Sequence, residues 1–196
     1  MKVGPFMLLV IASVSLPAVS SARGSEQKHL IRCSDSPIPG IRPASMECAF
    51  LVRKRVNTLP AGPVVWRLET FPTVTAARAA ASADAAVVKA ASKIWLMTLG
   101  RKGDRSRGAT FVAEVGPLPI PRALRYEFLI AEANTDYVSI TRNHIHSGPE
   151  AWFLLAGDQC LETPSGRMRL TAGHGGFVAA DTPMRLTTGS GFPPQA

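Results

Sequence analysis

The stretch Asn143-His144-Ile145-His146-Ser147-Gly148-Pro149-Glu150-Ala151-Trp152-Phe153-Leu154-Leu155-Ala156-Gly157 decides how the rest of the chain is read. His144 and His146 stand two apart, so on an extended strand both imidazoles project to one face. Ser147-Gly148-Pro149 is tight-turn material. A second strand starting at Glu150 would swing its carboxylate back beside the two rings, with Trp152 and Leu154 on the same face. Gly157-Asp158 makes the next turn. Two imidazoles and one carboxylate around an open position suit a divalent transition metal: Zn, Fe, Mn, Ni or Cu. The competing reading is that the histidines only hydrogen-bond within the interior and hold no ion. Glu150, if buried, would then need other hydrogen-bond partners.

Around this stretch the chain reads as short strands separated by turn residues. They are Cys48 to Val52, Val64 to Glu69, Ile94 to Leu99, Thr110 to Val115, Leu124 to Ala133, Tyr137 to His146, Glu150 to Leu155, Gln159 to Thr163, Arg167 to Leu170, Gly176 to Ala179 and Met184 to Thr188. Strands at intervals of about ten residues imply a sandwich or barrel. The 16 Gly and 16 Pro agree with many turns. Thr73 to Ala91 is the exception: rich in alanine, it predicts a helical segment, with Ser82-Ala83-Asp84 as a point where it could split in two.

From His144 onward the segment resembles the first motif of the cupins, G(X)5HXH(X)3–4E(X)6G, through His144, His146, Glu150 and Gly157. Val138 stands where that motif opens with glycine. The second motif, G(X)5PXG(X)2H(X)3N, is degenerate: Gly173 fits, but Ala179, Asp181, Met184 and Thr188 replace its proline, second glycine, histidine and asparagine. Asp181-Thr182-Pro183 reads as the turn before the strand carrying that last ligand. The resemblance covers roughly residues 124–190. It implies a mainly β, cupin-type antiparallel β-barrel, jelly-roll-like, with an Ala-rich helical insertion at 73–92.

The same resemblance makes His144, His146 and Glu150 metal ligands, with Met184 at the fourth ligand position and Trp152 and Gln159 lining the pocket. A thioether is a soft ligand, suited to Cu(I) and poorly suited to hard divalent ions. Three outcomes stay open: a three-ligand site completed by water, a copper site including Met184, or a barrel that has lost its metal and binds a small molecule. The first implies a metal-dependent oxygenase or isomerase, and the last a non-catalytic ligand binder or sensor. His174, in a Gly-rich turn, is expected at the surface.

Residues 1–22 read as an export signal. Lys2 is followed by the apolar run from Met7 to about Ala18 and by small residues at Ser20-Ser21-Ala22. That run is too short to span a bilayer. The expected location is therefore secreted or periplasmic, with no stable membrane insertion. Residues 23–62 read as a loop-rich N-terminal segment and 63–196 as the domain. Cys33, Cys48 and Cys160 allow three pairings. A Cys33–Cys48 disulfide would staple a Pro/Gly-rich loop and leave Cys160 a buried free thiol.

The formal charge is +8; losing residues 1–22 removes only Lys2 and leaves 21 basic against 14 acidic residues, or +7. The short clusters Arg53-Lys54-Arg55 and Arg101 to Arg107 lack interleaved aromatics. A solvated basic face fits better than a nucleic-acid site. The export signal and basic surface would also serve an extracellular interaction protein. Little strand material follows Met184. Either Val64–Glu69 closes the sheet, or a frayed edge remains that a homodimer could cover.

Overall fold

The computed structural model describes residues 6–15, 46–56, 58–135 and 139–188. Its strands are β1 (Phe6–Ser15), β2 (Met46–Val56), β3 (Val64–Phe71), β4 (Ala85–Ala90), β5 (Lys93–Arg101), β6 (Thr110–Val115), β7 (Arg125–Thr135), β8 (Ser139–Ile140), β9 (Glu150–Ala156), β10 (Asp158–Thr163), β11 (Gly166–Thr171), β12 (Gly175–Val178) and β13 (Arg185–Thr188). One short helix, α1 (Val74–Ala80), lies between β3 and β4. The protein is mainly β, and all its strand pairs are antiparallel.

The strands form three open sheets. A central sheet has the order β12-β9-β1-β7-β2, a front sheet β11-β10-β13-β8 and a back sheet β4-β5-β3-β6. Among the described residues no pairing closes any of them into a barrel. β3, which could have closed the sheet at the C-terminal end, instead pairs with β5 and β6 in the back sheet. What makes three layers is strand alternation on the central sheet. Phe128 and Ile130 of β7 and Ala151 and Phe153 of β9 pack with Trp66, Leu68, Trp95 and Met97 of the back sheet. The alternate residues Ala131, Ala133, Trp152 and Leu154 pack with Leu161, Leu170, Met184 and Leu186 on the front-sheet side. Both faces of β9 and of the Phe128-Leu129-Ile130-Ala131 stretch of β7 are thus buried, which explains why these runs are apolar without alternation. Trp66 and Trp95 are fully buried; truncating either to alanine would cost about 3–5 kcal/mol.

The layers approach closely at Gly175. A Cβ there would lie 2.4 Å from Val115 Cγ2 and 3.0 Å from the Trp152 carbonyl oxygen. Only glycine lets β12 pass β6 at this spacing.

Three expectations need correction. The helical segment expected over 73–92 is only seven residues long. Thr73 caps its start, its Oγ1 accepting from Ala76 N at 3.1 Å, but Ala81 already has extended backbone. Beyond the Ser82-Ala83-Asp84 turn the chain becomes β4, where Val87 and Val88 face Leu96 and Trp95 of β5. Pairing and packing there override the helical preference of alanine. Within the 23–62 segment the short strand expected at Cys48 to Val52 is an eleven-residue one, β2, which pairs with β7 and buries Val56 in the back core. The folded body therefore begins before residue 63. A continuous Tyr137–His146 strand is replaced by β8 and an isolated bridge at His144. Residues 6–15, which lie within the stretch read as an export signal, pair with β7 on one side and β9 on the other.

Cys33 lies outside the described residues, and so does His29. Cys160 is a buried free thiol, as expected. His174 is exposed, its Nδ1 lying 3.0 Å from Thr171 Oγ1. Among the described residues no helix is long and apolar enough to cross a membrane.

Candidate metal centre

The three candidate ligands come from one connecting segment and the strand it feeds. Residues 141–149 are not a strand, but they are pinned to the chain around Met184. His144 N donates to Met184 O at 3.0 Å, and Met184 N donates to His144 O at 2.8 Å. Asp181 N donates to His146 O at 2.7 Å, and Thr141 N to Leu186 O at 2.9 Å. Asp181 has a positive φ of 56° in this turn, a conformation that aspartate tolerates better than most residues. These bonds fix the segment in place of a sheet ladder. Ile145, between the two histidines, is 54% exposed. Gly148, Pro149 and Glu150 then carry the chain inward, all three buried.

His144, His146 and Glu150 converge. One ligand atom from each lies within 4.8 Å of the others. Donors sharing an ion at about 2.1 Å sit about 3–4 Å apart, so closure on one requires only small side-chain adjustment. The two imidazoles meet edge to face, centroids 5.0 Å apart. His144 Nδ1 lies 2.7 Å from the Arg142 carbonyl oxygen. A carbonyl can only accept, so Nδ1 carries the proton and Nε2 presents its lone pair. Such a backbone partner commonly orients metal-ligating histidines.

Glu150 is 3% exposed. His146 Nε2 lies 2.7 Å from its Oε2, an ion pair when the imidazole is protonated, though the two are not aligned as a hydrogen bond. A buried carboxylate oxygen without a donor is costly unless a positive charge compensates it. That charge can come from a protonated His146 or from a cation on which His144 also converges. The residues present therefore fit a divalent metal.

No family model, curated protein or solved structure matches the chain.

The remaining sequence candidates lie in the same layer. Trp152 follows Glu150 on the inward face of β9 and is fully buried in the front core. Gln159 of β10 is 1% exposed and shares its strand face with Leu161 of that core. Trp152 Nε1 and Gln159 Oε1 both lack hydrogen-bond partners. Met184 opposes His144 directly and is 1% exposed. Sequence reasoning missed the Arg142 carbonyl and the Asp181 N–H. Both act through the backbone, which leaves no residue-type signal.

Proposed function

We propose that this protein binds a divalent transition metal through His144, His146 and Glu150 and acts on a small molecule held between the central and front sheets. The observation that carries this reading is the convergence of one ligand atom each from His144, His146 and the buried Glu150, all within 4.8 Å of one another. The two-histidine, one-carboxylate set leaves open positions for substrate or water. Bound there, such an ion would supply Lewis-acid polarisation or oxygen activation, the chemistry of an isomerase or an oxygenase. The chain's own residues hold His144 in the ligating tautomer and exclude bulk water through the apolar front core. Trp152 Nε1 offers a donor and Gln159 Oε1 an acceptor for a polar ligand in that layer. The cupin-like spacing from His144 to Gly157 supports a cupin-type arrangement of this half of the molecule. The leader-like residues 1–22 support export to a secreted or periplasmic location.

A second reading, a metal-free ligand-binding or sensor protein, is favoured by Met184, which stands opposite His144 where the cupin pattern has a fourth ligand. Elemental analysis after incubation with Zn, Fe, Mn, Ni and Cu salts separates the two. One equivalent of metal in the wild type, lost in a folded His144→Ala variant, supports the metal site. A wild type that stays metal-free throughout sinks it.

A further inference from the structure

The back sheet carries a second polar constellation, on its outer face and away from the candidate metal centre. Arg67 of β3 is 6% exposed and Glu69 fully buried. Glu69 Oε2 accepts from Arg67 Nε at 3.1 Å and from Ser106 Oγ at 2.6 Å, while Glu69 Oε1 accepts from Ser106 N at 2.8 Å. Glu69 is therefore saturated on both oxygens. Arg67 is not, because its Nη1 is buried without any acceptor. Directly across the ladder, Thr98 of β5 is opposite Arg67 and its buried Oγ1 also lacks a partner.

Buried polar groups nearly always find partners, so two adjacent orphans call for a missing one. The backbone leaves room for it. Gly100 lies two residues beyond Thr98 on the same face, and a Cβ there would come within 3.3 Å of Arg67 Nη1. Above these groups lies a cleft of about 510 Å³ bounded by the end of α1 and the loop after β5. Its lining adds Arg101, Arg105 and Arg107, and on the acidic side Asp84 and Asp104. Arg105 is already engaged by Glu114 at 2.6 Å. Arg101 and Arg107 are exposed and in no ion pair among the described residues.

We infer that this cleft is a binding site for a small oxyanion, a carboxylate or phosphate group. Arg67 Nη1 and Thr98 Oγ1 donate from its floor, and Arg101 and Arg107 close over it from the rim. A guanidinium matches the geometry of either group. Arg67 Nη1 can only donate, so it calls for an acceptor, and the Thr98 hydroxyl can donate to the same one.

The test is thermal unfolding and calorimetric titration of the full chain with inorganic phosphate and with malonate, against sodium chloride of matched ionic strength. A ligand that binds only the folded state raises the melting temperature saturably. Saturation with phosphate alone identifies a phosphoryl ligand, with malonate alone a carboxylate, and with both the shared oxyanion chemistry. Thr98→Val is nearly isosteric, and Arg101→Ala/Arg107→Ala alters only exposed side chains. Each should weaken binding about tenfold or more, the worth of a charge-assisted hydrogen bond. His144→Ala should leave it unchanged. No saturable shift beyond that of sodium chloride, or a shift surviving both sets of substitutions, overturns the proposal.

Discussion

His144 and Met184 exchange both of their backbone hydrogen bonds, at 3.0 and 2.8 Å, and so form one directly opposed antiparallel pair. Residues paired this way project to the same side of the two strands. The thioether thus stands on the side of the His144 imidazole, in the front core with Trp152 and Leu154.

That pairing makes Met184→His a gain-of-ligand substitution. Partners outside the ligand set already change metal affinity by about 10–100-fold, so a direct fourth imidazole should tighten zinc binding by at least about tenfold. Competition titration with a chromogenic chelator measures it. Unchanged affinity would mean that position 184 does not face the site.

The β4–β5 hairpin turns through Ala91 and Ser92, whose φ values are 48° and 58°. Both positions are left-handed, as a two-residue type I′ turn demands, yet neither holds the glycine or asparagine that favours it. A left-handed residue with a Cβ costs roughly 1–2 kcal/mol. Ala91 N donates to Glu132 Oε1 at 2.9 Å, which offsets part of this. Ala91→Asn with Ser92→Gly should therefore raise stability by about 1 kcal/mol, read from urea unfolding midpoints. A midpoint that falls would show that the turn is held by something other than backbone preference.

The same hairpin shows where the sequence stopped being legible. With no turn signal between Ala90 and Lys93, an alanine-rich run was free to read as helix, and only the partner strand β5 makes it β4. Strand existence was readable elsewhere because burial on one or both faces writes itself into local pattern: Thr110–Val115 is a strand with the bounds its sequence predicts. Sheet membership was not readable. β2 with β7 and β3 with β6 join residues far apart in the chain, and no local pattern encodes that choice. The candidate metal centre was legible for the opposite reason, since His144, His146 and Glu150 lie within one short stretch. Met184 could be placed because the Asp181-Thr182-Pro183 turn sets its register. The Arg67, Thr98 and Ser106 cluster was invisible, being assembled from two strands and a loop.

Burial pushes the Cys160 thiol above its ordinary range, with the nearby Glu162 charge acting the same way. The thiolate is the reactive form, so raising the thiol's pKa lowers its fraction at any given pH. Cys160 should react with a neutral disulfide reagent far more slowly in folded than in unfolded protein at pH 8. A chain with Cys33 and Cys48 replaced by serine isolates its signal. Equal rates in the two states would place the thiol at the surface.

The export processing proposed from residues 1–22 and the central sheet make opposite demands on residues 6–15. β1 pairs along its whole length with β7, from Phe6 opposite Asn134 to Ser15 opposite Arg125, and with β9 from Phe6 to Ile11. A chain cut after Ala22 loses this strand, and the amides of β7 and β9 that pointed at it lose their acceptors. Those of β7 that point at β2 keep theirs. Hydrogen exchange on residues 1–196 and 23–196 should then differ in an alternating pattern along β7, every second amide exchanging faster in the shorter chain. β9 pairs with β1 along its whole length, Ala156 to Glu150, and should show the same alternation, clearest over Glu150 to Phe153 where its other side still pairs with β12. Identical protection in the two chains would mean that β7 and β9 do not depend on β1, and that the leader can be removed without opening the central sheet.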